Sequence, residues 1–407
     1  MVTLAIKGGR PVRKKPFPVW PVWGDEEIKN LRQVVKSGKW GRLNGKVTEC
    51  FERKFADYHE AKYGIAVNSG TTALRLALTA ADVEPGAEVI CPAYTFIATA
   101  SAVVEAGGVP VFVDIDPQTY NIDVNAIEAA ITPRTAAIMP VDFAGRPADL
   151  DGVLAVANKH GLKVIEDAAQ AWGAEWKGKK VGALTDAGCF SFQSSKNINS
   201  GEGGIILTND ELIAKFARSH HNCGRSEDGL WYEHFYFGGN YRITEFQTAV
   251  LLAQLDRYEE LKKIRQDNLK LLNKLLKPIE GVGTLSEDPR ITSHACHLYI
   301  FRYQKELFAG KPKSVFIEAL RQEGIPCSAG YSIPLYKQPV FLNRAFGPRG
   351  KSVALPIDYR TFHCPETEKA CSEEAIWFTQ NVLLGTDKDM KDIAKAINKV
   401  KEQADQL

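Results

Sequence analysis

The run Lys163-Val164-Ile165-Glu166-Asp167-Ala168-Ala169-Gln170 decides how the rest of the chain is read. A short β-branched stretch runs into two acids and then into small residues. That is the pattern of a buried strand ending at a polar edge. In open α/β sheets, ligands bind at the carboxyl ends of the strands. Asp167 therefore has two readings: the cap of a following helix, or a functional carboxylate.

Similar runs lie on both sides of it. They are Glu88–Cys91, Val109–Asp116, Ala136–Val141, Cys189–Phe192 and Gly204–Leu207, alternating with helical patterns between about Val67 and Asn209. Continuous apolar runs suit strands covered on both faces. Alternation with helices predicts an α/β sheet with mainly parallel strands. Outside this region, Ile28, Leu31, Val34 and Val35 share one helical face over Asp25–Ser37. Thr244 to about Leu275 reads as one long helix. Beyond it come a strand at His297–Tyr303, a helix at Ser314–Glu323 and a terminal helix carrying Ile393, Ile397 and Val400. These divide the chain into a large unit, residues 1–260 with the N-terminal segment, and a smaller C-terminal α+β unit, residues 261–407.

Composition narrows the function classes. The 407 residues carry 51 Lys and Arg against 49 Asp and Glu, a net charge of +2, with 44% hydrophobic and 25% charged residues. Such a chain is not disordered, and its basic excess is too small for nucleic-acid binding through bulk charge. The eight cysteines form no C-x-x-C pair and suggest no metal site; they read as free thiols in a reducing cytoplasm. Met1–Lys15 is basic but lacks the apolar core of a secretory signal. No uncharged apolar run reaches the roughly 18 residues of a membrane span.

Four further features carry chemistry. Lys196, in Ser191-Phe192-Gln193-Ser194-Ser195-Lys196, follows a buried strand and precedes the glycine-rich turn Gly201-Glu202-Gly203-Gly204. A lysine at a sheet edge loses solvation and becomes a nucleophilic amine; most lysines are simply solvated. Asn68-Ser69-Gly70-Thr71-Thr72 stands at a helix start, where free N–H groups suit a phosphate, although Ser and Thr there usually only cap. Phe96, in Pro92-Ala93-Tyr94-Thr95-Phe96, follows a strand and is placed to stack on a planar ring or to sit in a core. Asp167 is the fourth. Together they match the needs of pyridoxal 5'-phosphate: a Schiff-base lysine, an acid for the pyridine nitrogen, a phosphate cradle and a ring cover.

In Val67–Leu74, Pro92–Thr99, Glu166–Gln170, Ser191–Gly204 and Gly239–Arg242, the chain resembles the DegT/DnrJ/StrS family of pyridoxal-phosphate aminotransferases. The resemblance implies a fold-type I architecture: a large domain with a mainly parallel seven-stranded sheet between helices, and a smaller C-terminal domain. It also implies a homodimer with shared active sites. By the same resemblance, Lys196 is the Schiff-base lysine and Asp167 pairs with the pyridine nitrogen. Gln170 lies near the ring's phenolic oxygen and Phe96 covers a ring face. Gly70, Thr71 and Ser191 hold the phosphate, and Asn240 reaches it from the other subunit. Arg42, Tyr241, Arg242, and His220 or His221 are candidates for substrate contact, with the arginines otherwise structural ion-pair partners.

Two departures matter. Gln193 stands where many nucleotide-sugar members have His, and Gly38–Gly45 lacks their Thr-Thr-Gly-Pro-like loop. The Phe-Gln-x-x-Lys form and the entry Gly8–Arg13 are similar to 3-amino-5-hydroxybenzoate synthases and glutamine-dependent scyllo-inosose aminotransferases. The implied reaction moves an amino group from glutamate or glutamine to a keto group on a sugar, cyclitol or related ring. The alternatives are an aromatising synthase or a nucleotide-diphospho-ketosugar aminotransferase. Dehydratases of the family carry His in place of the lysine, and relic binders are expected to lose the lysine or the aspartate; this chain retains Lys196 and Asp167.

Overall fold

The protein is described from a computed structural model, covering residues 3–226 and 228–407. The large sheet is formed by β1 (Tyr63–Val67), β2 (Glu88–Pro92), β3 (Val109–Val113), β4 (Thr135–Ile138), β5 (Lys163–Asp167), β8 (Ala187–Ser191) and β9 (Gly204–Thr208). Between β5 and β8 lie the two-residue strands β6 (Glu175–Trp176) and β7 (Lys179–Lys180), which pair with β11 (Ile291–Ser293) in a small separate sheet. A third sheet joins β10 (Val282–Thr284), β12 (Leu298–Tyr303) and β13 (Ala375–Thr379).

The large sheet has the order β1-β9-β8-β5-β4-β2-β3, which puts β5 at its centre. β3, β2, β4, β5 and β8 are mutually parallel, whereas β9 runs antiparallel to both β8 and β1. Every residue of β2, β3, β8 and β9 is buried, as strands covered by helices on both faces require. β1 was not among the predicted apolar runs. Gly64 and Ala66 interrupt its apolar pattern, and Gly64 is needed because a Cβ there would lie 2.7 Å from the Glu52 carbonyl oxygen.

The long helix expected over Thr244–Leu275 is two helices, Glu245–Asp256 and Tyr258–Leu276, meeting at Arg257. The break has a packing reason. Leu251 and Leu255 enter a core of the large unit, while Leu272 and Leu276 enter a second core with Phe316, Ile393, Ile397 and Val400. The expected division at residue 260 falls inside the second of these helices.

The N-terminal stretch, expected as part of the large unit, instead buries Leu4 and Phe17 in the second core, because its apolar residues pack there with Phe316 and Ile393. Arg13 holds it there. Its guanidinium pairs with Asp389 and Asp392, reaches the Pro16 carbonyl at 3.1 Å and stacks on Phe17 at 4.1 Å. Glu323 accepts from the Ala5 and Val12 N–H groups at 2.8 and 2.9 Å and pairs with Lys399. Burial pushes the Asp389 carboxyl up, but hydrogen bonds from Thr386 and Arg13 outweigh it and hold its pKa below the ordinary value. Arg13→Met leaves that carboxylate buried without its cation. The expected loss is about 3 kcal/mol in chemical denaturation, together with earlier proteolysis of residues 3–17. An unchanged midpoint would show that Leu4, Phe17 and the Glu323 contacts anchor the segment without Arg13.

Candidate active site

The carboxyl ends of β1, β2, β5 and β8 converge, and each delivers one of the expected groups. β5 ends at Asp167, which is buried. Its Oδ2 accepts from Thr99 Oγ1 at 2.8 Å and its Oδ1 from the Ala169 N–H at 3.2 Å. Thr99 is itself 3.0 Å from Thr95 Oγ1. Burial raises the Asp167 pKa, while these two hydrogen bonds and the charge of Lys196 pull it down. Thr99 was not singled out from the sequence as a site residue. Its signal was the spacing Thr95-x-x-x-Thr99 at the start of the helix Ala98–Glu105, which stacks the two hydroxyls on one side.

β8 ends at Ser191, and the chain loops out before returning as β9. The loop is tied across its neck by Phe192 N–H to Gly203 O (2.8 Å) and Ser194 N–H to Gly201 O (2.9 Å). Gly201 has φ +86°, a left-handed conformation that a side chain would strain. Lys196 sits in this loop, half-buried, and desolvation lowers its amine to about 8 against the opposing pull of Asp167. Gln193 lies over the loop: its Oε1 accepts from Ser195 N–H and Oγ, and its Nε2 donates to Ser194 Oγ. Trp20 also donates from its indole to the Ser194 carbonyl at 3.1 Å, a contact no sequence pattern announced.

β1 runs into the helix Gly70–Ala80, capped by Ser69, whose Oγ accepts from the Thr72 N–H at 3.1 Å. Among the described residues, nothing takes up the N–H groups of Gly70 and Thr71. A Cβ at Gly70 would meet the Ser191 Cβ at 2.7 Å, so the helix start and the end of β8 are in close contact. The result is a small cradle of free N–H donors beside the Ser191 hydroxyl. After β2, Phe96 leaves its ring 58% exposed, which is unusual for a phenylalanine beside a buried sheet edge.

Gln170 is buried, with Oε1 accepting from the Ala144 N–H at 2.8 Å. A chain of hydrogen bonds links it to the loop that carries Lys196. Ala144 O accepts from the His297 N–H (2.9 Å), His297 Nδ1 meets Asn197 Oδ1 (3.0 Å), and Asn197 Nδ2 donates to Ala295 O (2.7 Å). Burial pushes the His297 pKa far down, so the ring is neutral.

Of the residues expected to contact substrate, Tyr241 and Arg242 lie against the end of β1, where the Asn68 N–H donates to the Tyr241 carbonyl at 2.9 Å and Arg242 bridges Val67, while the side chains of all five candidates are engaged with other partners. Arg42 is paired with the buried Glu52 at 2.8 Å, and Glu52 also accepts from the β1 backbone at Ala66. Tyr241 takes a 2.6 Å hydrogen bond from Arg75 and packs against the large core. Arg242 donates to Asn222 Oδ1 at 2.8 Å. His221 is buried, with its pKa lowered to about 4 by burial, and His220 bonds to the Phe216 carbonyl. Asn240 is exposed, its side chain meeting only the Arg242 N–H at 3.5 Å. Among the described residues, no hydrogen bond joins its side chain to the Gly70 turn within one chain. All eight cysteines are free thiols. Among the described residues, no group of acids, histidines or cysteines suits a metal, and no helix is long and apolar enough to cross a membrane.

This arrangement can hold an anion at the cradle, keep a carboxylate at the sheet edge, and present an activated amine beside it. Residues 21–382 match the model of the DegT/DnrJ/EryC1/StrS aminotransferase family. The chain is 39% identical over 423 residues to an L-glutamine:2-deoxy-scyllo-inosose aminotransferase of Streptoalloteichus tenebrarius, covering 98% of this chain and 97% of that protein. It is 37% identical over 388 residues to a 3-amino-5-hydroxybenzoate synthase of Amycolatopsis mediterranei, covering 95% and 97%. The crystal structure of a 3-amino-5-hydroxybenzoic acid synthase superposes with a TM-score of 0.87 at 35% identity, covering 96% of this chain and all of that one. The architecture is accordingly that of the fold-type I transferases.

The lowered Lys196 pKa has a consequence for stability. Between about 8 and its ordinary value of 10.5, the unfolded chain binds this proton and the folded one does not. Below that window the native state holds a charge it solvates poorly, and stability rises with pH across it. In cofactor-free protein, Lys196→Met is therefore expected to be more stable at pH 7 by about 2–3 kcal/mol, a gain that shrinks as pH climbs to 10.5. Denaturant melts at several pH values measure it; a variant no more stable at pH 7 would rule out the desolvated amine.

Proposed function

The chain belongs to the DegT/DnrJ/EryC1/StrS aminotransferase family, and on that premise we propose that it transfers an amino group from glutamine to a keto group on a cyclitol. The carrying observation is the near full-length 39% identity to an L-glutamine:2-deoxy-scyllo-inosose aminotransferase. Gln193 in place of histidine supports a substrate without a nucleotide carrier, as the sequence reading anticipated.

Pyridoxal 5'-phosphate fits the residues present. The unclaimed Gly70 and Thr71 N–H groups and the Ser191 hydroxyl would hold its phosphate, and the exposed Phe96 ring would cover one face of its ring. Gln170 would border its phenolic oxygen. When bound, the cofactor supplies an electron-withdrawing ring that stabilises negative charge at the reacting substrate carbon. Asp167, held by Thr99 and the Ala169 N–H, would keep the ring nitrogen protonated. Lys196 Nζ would take the proton from the donor's amino-bearing carbon and, in the second half of the reaction, deliver one to the acceptor carbon, a task suited to an amine near 8. The neutral His297 and the Asn197 amide orient the loop that carries it.

A dimer with shared sites completes this reading. Exposed Leu230, Trp231, Tyr232, Phe235 and Phe237, the last at 96%, precede the exposed Asn240. So much apolar surface in one segment marks an interface, and Asn240 would then reach the phosphate of a second copy. Free thiols at every cysteine suit a reducing cytoplasm. Mixing Lys196→Ala subunits with Asn240→Ala subunits should restore part of the activity, because one hybrid site is intact. No recovery in proven heterodimers would mean that each site is built from one chain.

The high TM-score to 3-amino-5-hydroxybenzoic acid synthase favours a second reading, in which the ring substrate is aromatised. One experiment separates the two. Glutamine should bleach the visible band of the holoenzyme, and a keto-cyclitol such as 2-deoxy-scyllo-inosose should restore it. Restoration only by a nucleotide-linked ketosugar would overturn the proposal, and release of an ultraviolet-absorbing aromatic product would establish the second reading.

A further inference from the structure

Arg146 has no role in the site described above. It is 6% exposed, yet among the described residues no ion pair or hydrogen bond holds its guanidinium, and its Nε is sealed without a partner. Asp288, Asp116 and Glu287 act on it only at longer range, and burial works against its charge. A buried cation without a partner costs several kcal/mol, at an order-of-magnitude level, unless something pairs with it.

Arg146 lines a cavity of about 520 Å³ between the Phe143–Gly145 turn, the helix Tyr258–Leu276 and the segment Leu285–His294. None of the residues assigned to the cofactor lines this cavity. The other groups in its wall are mostly donors. Lys270 is exposed at the mouth, and Ser286 contributes a hydroxyl. His294 accepts the Cys296 N–H on Nδ1, which leaves its proton on Nε2. Of the two acids, Asp288 is already taken by Arg290, through Nε, Nη2 and the backbone N–H at 2.7 to 3.1 Å. Glu287 is exposed and free to turn to water.

We propose that this cavity is a second ligand site, taking a small oxyanion, a carboxylate or a phosphate group, between Arg146 in the wall and Lys270 at the mouth. The planar guanidinium suits two parallel bonds to either group. An occupant would also touch the active site indirectly. The turn carrying Arg146 donates the Ala144 N–H to Gln170 and accepts from the His297 backbone.

Thermal unfolding of the cofactor-loaded enzyme tests the proposal, with inorganic phosphate and succinate as probes and sodium chloride at matched ionic strength as the reference. A saturable rise in Tm beyond chloride is expected with at least one probe. A response to phosphate alone assigns a phosphoryl ligand, one to succinate alone a carboxylate, and one to both an unselective oxyanion site. Lys270→Gln should raise the half-saturating concentration roughly three- to tenfold, and Arg146→Gln should abolish the response. The visible cofactor band should stay unchanged in both variants. Lys270 is exposed, so its variant decides the matter even if Arg146→Gln fails to fold. No response beyond chloride, or the same response in wild type and Lys270→Gln, overturns the proposal.

Discussion

Everything at this site depends on keeping a carboxylate charged at the end of a central, fully covered strand. Burial raises the Asp167 pKa and works against its charge. The fold opposes this with a hydroxyl from the start of one helix, an N–H from the turn that follows β5, and the positive charge of Lys196. The same closeness sets the lysine. Desolvation lowers its amine and Asp167 holds it from falling further, so the two groups tune each other. Neither could be moved to the rim of the sheet without losing the effect, because water would screen the pair.

That requirement explains the topology around it. A strand order with β5 in the middle surrounds Asp167 with β4 on one side and β8 on the other. The reversal at β9 then lets the loop after β8 turn back over the same edge, carrying Lys196 with it. The loop is braced twice, by its own backbone bonds and by the chain of contacts from Asn197 through His297 and Ala144 to Gln170. That chain ties His297, just before β12, to both ends of the site.

Much of this was legible in the sequence, for reasons that differ by element. The buried strands could be read because a run such as Val164-Ile165 has no polar face to obscure it. The cluster of Gly70, Phe96, Asp167, Ser191 and Lys196 could be read because each follows a strand, and strand ends share an edge. Other features depend on partners far away in the chain. The break at Arg257 exists because two separate cores pull on one helical stretch. Arg13 reads as one of several basic residues near the start, but it folds onto Asp389 near the other end. Arg42 reads as a candidate for substrate, but its charge goes to Glu52, an acid buried by the same packing that forms β1. Spacing reveals local periodicity; it does not reveal which charges meet.

The acids behind Asp167 complete the argument. Asp142 and Glu166 are wholly buried, and Asp142 Oδ2 and Glu166 Oε1 find no other partner. Glu166 already accepts from the Gly182 N–H and Thr185, and Asp142 from the Ala148 N–H. Burial and the neighbouring Glu166 push the Asp142 pKa well up, so Asp142 keeps its proton and donates it to Glu166. Two buried carboxyls then carry one charge between them. The charge of Asp167 also raises both pKa values, so a proton held on this pair leaves one negative charge fewer packed behind the strand end. The protonated Asp142 thus limits the negative charge buried beside Asp167, although it lies outside the motifs that resemble the family.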